Sequence, residues 1–508
     1  MDNIPMLTIL GVLPLIGALL TFVVRGRAGK QLAMAAALVT LVFGLLVFFS
    51  SAEGDLAETI SWIPQIGAWY ALSLDGMGRA MVLLTIILVP VVLLAEWRID
   101  DVQADAHELP RWGGNVFGAF ALLLEGFALF VFMSADVLLF YLFFEATLIP
   151  MFFLIQGWGG PRRGKAAIKF LLYSLAGGLV MLFAVIGVYA ATATAGQPSF
   201  LIADVAGIEI GGSLEKLLFI GFFFAFAVKA PMVPVHSWLP DTTEQATPGA
   251  STLLVGVLDK IGTFGMIRLC LGMFPEASAW ATPLVVILAV VSVAYGALMA
   301  IGSTNLLRLV AYTSVSHFGF MVLGIFAFTS ASLSGSMFYM LAHGFSSAAM
   351  FLAVGFLLYR RGSVEIADFG GVEKVAPVLA GVFLISGLAT LGLPGTANFV
   401  GEFTIMTGAW PRQMVAVVVA VLGTVLAALY VLWAYQRVFT GDVTAQVTEH
   451  FSTDLDLREK LVVAPLIGLL LVFGFYPQPL MDVVNPTATA TMTHVDMSDP
   501  EPGSMGGK

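Results

Sequence analysis

One cysteine, Cys270, stands among 508 residues. That scarcity excludes a disulfide framework, a thiolate-held iron–sulfur cluster and a cysteine-ligated structural zinc. Charge is scarce too: 11% of residues are Asp, Glu, Lys or Arg, and the net charge of −10 comes mostly from loops and the C-terminal end. The 23 Lys and Arg are scattered without a basic patch, so nucleic acid has no support as a partner. GxGxxG, CxxC and P-loop patterns are all missing, and neither a redox cofactor nor a metal ion is expected on this chain.

What fills the sequence instead is apolar side chains, 59% of residues, at a mean hydropathy of +0.95. No soluble globular domain reads this way. A membrane helix takes about 20 mostly apolar residues, and fourteen candidate spans can be marked. They lie near 4–24, 31–51, 77–96, 114–133, 136–156, 166–191 and 216–238, then near 249–273, 282–302, 305–328, 332–358, 376–409, 413–439 and 461–480. The expected fold is an all-α polytopic membrane protein. The first run is too long for a cleavable signal and its positive charges follow it, so it is expected to be retained.

Loop charges set the orientation. The segments 25–30, 97–112, 159–165, Arg308, 360–374 and 437–460 hold 15 of the 23 Lys and Arg and fall on alternate sides of successive spans. By the positive-inside rule that face is cytoplasmic, both termini lie outside, and the span number is even. Residues 51–76 fall on the outer face, where WIPQIGAWYALSL alternates well enough for a short hairpin. The 441–459 segment reads as surface loop, and 486–508 as an unstructured tail.

Ionisable residues inside spans cost ~3 kcal/mol each on insertion scales, which makes them functional candidates. Here they are Glu125, Glu145, Lys169, Lys229, Asp259, Lys260, His317, His343 and Glu402. Each has a plainer reading. Glu145 and Lys229 would serve as a structural ion pair, and the histidines as hydrogen-bonded core residues. Glu125 and Lys169 lie nearer span ends, where snorkelling is an alternative. A bis-histidine haem site lacks a second pair. Lys229 is followed by two prolines, and GLPG at 392–395 precedes Glu402. Such a break beside a charge frees backbone groups for an internal wet cavity. The two broken spans are five apart, an odd offset that makes corresponding helices antiparallel, as in inverted repeats. Two carboxylates, two lysines and two histidines in successive inner helices can form a proton relay, because an opposite neighbour and burial pull their proton affinities in opposite directions.

AFAVKAPMVPVHSWLPDTTEQATPGAS, VGVLDKIGTFGMIRL, AYTSVSHFGF, LAHGFSSAAMF and GLPGTANFVGEF resemble the antiporter-like membrane subunits of respiratory complex I, over nearly the whole chain. That resemblance implies fourteen helices, inverted five-helix repeats at spans 4–8 and 9–13, and broken helices 7 and 12. The corresponding segments are 1–112, 113–273, 274–440 and 441–508. It implies a proton-translocating subunit, itself without cofactor, coupled to NADH oxidation and quinone reduction on other chains in the bacterial inner membrane. Subunits L and N of that complex are the implied neighbours, besides the lipid bilayer. Glu145 and Lys229 would be the coupling pair, Lys260 the central relay, His317 and His343 the connecting histidines. Glu402 would be the exit-side carboxylate, where sister subunits and related cation/proton antiporters usually carry lysine. Asp259 departs from the pattern, since the family normally has an apolar residue there. A sodium/proton antiporter subunit, a membrane-bound hydrogenase subunit and a purely structural scaffold are the alternatives.

Overall fold

A computed structural model describes residues 4–50, 56–104 and 112–499. Residues 1–3, 51–55, 105–111 of the 97–112 loop and 500–508 of the tail therefore lie outside the described residues. Among the described residues, ten helices are long and apolar enough to cross a membrane, or eleven if a bent pair near the C-terminus is one span. Every candidate span coincides with helix, but not every one is a single long helix. Gly212–Lys229 stops at its lysine and the chain becomes helical again at Trp238–Gln245. Pro377–Thr390 stops before the GLPG turn, and Ala397–Phe439 runs on with an internal break at Gln413, just after Pro411. The two expected interruptions are thus present, as Pro231, Pro234 and Pro394 would require.

Burial separates the helices into a core and a shell. Leu306–Ile325 buries 19 of its 20 residues and Ser330–Arg361 buries 26 of 32, whereas Gly26–Ser50 buries 6 of 25 and turns its apolar side chains outward. The two core helices are also the ones that carry His317 and His343. Their close packing depends on glycine. A Cβ at Gly319 would fall 2.5 Å from Ala289 O and 2.9 Å from Val293 N, both backbone atoms of the helix Pro275–Ile301.

The basic loops share one face. Lys30 pairs with Asp100 at 2.9 Å, Arg98 with Asp456 at 3.3 Å, Arg360 with Glu459 at 2.7 Å, and Gly371 N donates to Thr440 O. On the opposite face, Arg268 pairs with Asp75 at 2.8 Å and Arg412 donates to Ser498 O. The outer segment forms an antiparallel hairpin, Leu56–Ile63 with Ala68–Leu74, with an irregularity between Ser61 and Ile63. It qualifies the all-α expectation with one small sheet.

Three expectations change. Residues 486–494 are not tail: Gln478–His494 is a helix bent 72° from Leu457–Phe475. Its polar TATAT sequence hides a four-residue stripe, Leu480, Val484, Ala488 and Met492, all buried. It lies so close to Gly76 that a Cβ there would meet Val483 O at 1.8 Å. The 441–459 segment is not wholly surface: it contains the helix Ala445–His450 and buries Val447, Phe451 and Leu455. Glu125 is the twelfth residue of the twenty in Gly114–Met133 and is 0% exposed, so it does not snorkel.

Gly319→Val is expected to destabilise the purified protein by about 1–3 kcal/mol, because backbone atoms cannot yield to the added methyl groups. A thermal unfolding midpoint in detergent equal to the parent's would contradict this packing.

Candidate functional site: a buried file of ionisable groups

Lys229 closes the helix Gly212–Lys229 and is 1% exposed. The break that follows is locally satisfied: Ala230 N donates to Phe226 O, Met232 N to Ala227 O, and the Trp238 indole to Val228 O at 3.0 Å. The ammonium itself has no hydrogen-bond partner. It lies 5.1 Å from the Phe144 ring centroid and 5.9 Å from that of Phe170, so aromatic faces are its immediate surroundings.

Glu145, one residue on from Phe144, is half-buried, and its Oε1 has no partner either. No ion pair within 4.0 Å joins it to Lys229. The sequence-predicted pair is therefore near but open. A glycine pair on Arg163–Ala195 makes the neighbourhood possible. Gly177 lets Ala225 approach, and a Cβ on Gly178 would sit 1.7 Å from Glu145 Oε1.

Lys260 lies deeper, at 0% exposure, beside a widened stretch of helix, Leu254–Leu258, in which Asp259 N donates to Leu254 O five residues back. Such π-type turns cost regular hydrogen bonding and recur at functional positions. Lys260 Nζ donates to Val255 O at 3.0 Å and is 2.7 Å from His343 Nδ1, with the Phe318 ring centroid at 4.5 Å. When Lys260 is protonated, His343 Nδ1 accepts and the proton of the neutral ring lies on Nε2.

From His343 the file continues. The rings of His343 and His317 are 5.1 Å apart and nearly perpendicular, and two nitrogens without partners belong to them, His343 Nε2 and His317 Nδ1. The Tyr339 ring is 5.9 Å from His317, and its hydroxyl donates to Glu402 Oε1 at 2.5 Å. Glu402 is 3% exposed. Its Oε2 lies against the broken turn, where Gly392 has φ +75° and a Cβ would meet the oxygen at 2.6 Å. That position needs glycine on both counts.

Of the six predicted site residues, the structure joins Lys260, His343, His317 and Glu402 in one file and sets Glu145 and Lys229 at its near end. Lys169 belongs elsewhere: its ammonium pairs with Asp241 at 2.6 Å, and Asp241 also binds Arg308 at 2.7 Å. Sequence reading missed Tyr339, the link between His317 and Glu402. Its signal was the spacing YMLAH, which places it one turn from His343 on the same face. It also missed His236, in the break after Lys229 and 4.9 Å from the Tyr295 ring. Buried Asn398, which donates to Ser346 Oγ at 2.9 Å, gave no sequence signal.

Known proteins resemble this chain in sequence and fold. A family model described as NADH:quinone oxidoreductase/Mrp antiporter, transmembrane, matches residues 134–427. NADH-quinone oxidoreductase subunit M of Mycobacterium tuberculosis is 46% identical over 535 residues, covering 99% of this chain and 96% of that one. Subunit M of Rhodobacter capsulatus is 36% identical, covering 95% of each. Among solved structures, a chain of respiratory complex I from Thermus thermophilus with bound NADH superposes with a TM-score of 0.87 at 30% identity, over 96% of this chain and 99% of that one. A chain of the Mrp complex from Dietzia sp. DQ12-45-1b reaches 0.82 at 20% identity, over 97% and 100%, a likeness of fold alone.

Removing one partner of a buried hydrogen bond leaves the other unsatisfied, at a cost of about 1–3 kcal/mol, whereas removing both is nearly neutral. Tyr339→Phe is therefore expected to lower stability by that amount, and Tyr339→Phe with Glu402→Leu to recover most of it. Unfolding midpoints of the single and double variants in detergent test the contact, and equal losses would refute it.

Proposed function

The chain belongs to the antiporter-like membrane subunits of NADH:quinone oxidoreductase, in the group of its subunit M relatives, and we propose that it moves protons through the buried file while NADH oxidation and quinone reduction occur on other subunits. One observation carries this reading: a lysine on Lys260–Gly265, two histidines and a tyrosine on the two most buried helices, and a glutamate on Ala397–Phe439 follow one another through the interior. A scaffold has no use for them, since apolar side chains of similar volume hold helices at least as well.

Each member has a role set by its chemistry. The open Glu145–Lys229 pair is the input, because closing it favours the ammonium and opening it favours release. Lys260 receives the proton and presents it to His343 Nδ1, whose ring passes a proton from Nε2 toward His317. Glu402 ends the file as a carboxyl that holds a proton when neutral and releases it as an anion. Tyr339 orients that carboxyl by its hydroxyl. A cavity of about 150 Å³ opens on the basic-loop face, lined by Arg162, Lys165, Lys169, Asp241, Glu244 and Arg308.

The wider placement follows from the same reading. The basic loops face the cytoplasm of a bacterial cell, both ends of the chain lie outside, and the chain crosses the membrane fourteen times, with two inverted repeats at spans 4–8 and 9–13. Subunits L and N flank it, and no redox group resides on it. A sodium/proton antiporter subunit is the second reading, favoured by the family model's breadth, and opposed by a carboxylate rather than lysine at position 402.

In the assembled complex in proteoliposomes, Lys229→Ala is expected to reduce NADH-driven proton uptake by about a hundredfold or more, the scale of a lost positioned proton carrier. Glu402→Asp should retain much of the parent rate, while Glu402→Gln and Glu402→Ala should not. Parental uptake by an assembled Lys229→Ala or Glu402→Ala complex would remove this chain from the proton path. Sodium-dependent exchange without NADH would favour the antiporter.

The pair at the input adds a separate test. Glu145→Gln should depress coupled NADH oxidation about as strongly as Lys229→Ala, and the double variant should be no worse than either, since coupled groups that act as a unit are not additive. Additive losses would show independent roles.

A further inference from the structure

Between the two interior lysines stands a carboxylate with no partner. Asp259 is 0% exposed, and neither Oδ1 nor Oδ2 receives a hydrogen bond. Buried carboxylates elsewhere in the fold are provided for. Glu96 accepts from Gly249 N at 2.6 Å and the Tyr359 hydroxyl at 2.5 Å, and Asp136 accepts from the backbone of Trp69 and Leu139. Glu125 also lacks partners, but no charged group acts on it. Lys229 and Lys260 both act on Asp259.

The helix geometry explains that position. Residues three apart share a helix face, while residues two apart point to nearly opposite sides. Asp259 is three residues before Gly262, whose Cβ would meet Ala230 N at 2.6 Å and Phe226 O at 2.7 Å. That face is pressed onto the end of the helix that finishes in Lys229. Lys260, two residues before Gly262, points away from it and engages His343. Adjacent residues of one helix thus look in two directions, Asp259 back to Lys229 and Lys260 on to the histidines.

We propose that Asp259 carries the proton from Lys229 to Lys260, closing the gap between the two lysines. The inference rests on the proton-moving reading above. In the first step the Lys229 ammonium gives its proton to the Asp259 carboxylate, leaving a neutral amine and a neutral carboxyl. In the second the carboxyl gives it to the neutral Lys260 amine, restoring the carboxylate and creating the Lys260 ammonium. Each step needs a lysine side-chain rotation or one intervening water. The summed charge of the three groups stays constant across both, so no step creates a new uncompensated charge in the interior.

A static counter-ion would also sit between two lysines, and the test must separate the two. Asp259→Asn, Asp259→Glu and Lys229→Ala are introduced into the intact complex, assembly is checked on native gels, and NADH-driven proton uptake is read in proteoliposomes together with quinone reduction under uncoupled conditions. Asp259→Asn is expected to lower proton uptake about tenfold or more, and Asp259→Glu to restore most of it with an altered pH dependence. Parental uptake by an assembled Asp259→Asn complex overturns the proposal, as does an Asp259→Glu complex whose pH dependence is unmoved. Where the Asn variant does not assemble, the pH dependence of Asp259→Glu decides alone. Normal uptake by Lys229→Ala would instead sink the proton-moving reading itself, whereas loss with Lys229→Ala beside normal uptake with Asp259→Asn sinks only the role of Asp259.

Discussion

Lys260 and His343 share a 2.7 Å contact in a place without water-facing surface, and the organisation of the interior depends on it. Two cations cannot face each other across a hydrogen bond, because one side must accept. The pair therefore holds at most one positive charge. Its second bond, Lys260 Nζ to Val255 O, fixes which way the amine points. The carbonyl it uses belongs to the π-type turn, so an irregularity in one helix determines the orientation of the central residue.

The same logic explains why the interior groups are so loosely paired. A tight buried ion pair resists separation, since breaking it exposes an uncompensated charge at a cost of about 3–5 kcal/mol. On the two outer faces the ion pairs are closed and short, as in Arg360–Glu459 on one and Arg268–Asp75 on the other. Inside, Lys229 has aromatic rings for neighbours and Glu145 stands off from it. Closed pairs tie loops together. Open ones leave a proton free to move.

The outline was legible in the sequence because membrane helices announce themselves by length and hydropathy, and buried charges by their rarity. The breaks after Lys229 and before Glu402 were legible because proline cannot continue a helix. Contact was not legible. Nothing in the spacing of Glu145 and Lys229 says whether they touch, and only the Gly178 cradle shows where the carboxylate sits. Tyr339 was hidden among ordinary aromatic residues, and Glu125 was set near a span end although the expected span, 114–133, matches the helix and already puts it near the middle. The helix Gln478–His494 was hidden by threonine and alanine, whose stripe of four buried residues is too weakly apolar to stand out.

Both terminal carboxylates of the file are seated by the same device. Glu145 lies over Gly178 and Glu402 over Gly392, each where a single methyl group would collide with a carboxylate oxygen, at 1.7 Å and 2.6 Å. A glycine there removes the side chain that would otherwise fill the space, and exposes backbone next to the oxygen. The cost is backbone entropy, about 0.5–1 kcal/mol for a helical glycine relative to alanine. What it provides is a seat: the carboxylate oxygen occupies the space that a methyl group would fill. Close-packed interiors leave few voids, so a carboxyl can lie this close to a helix or turn only where the side chain opposite it is missing. The two glycines mark where, at each end of the file, that space was made.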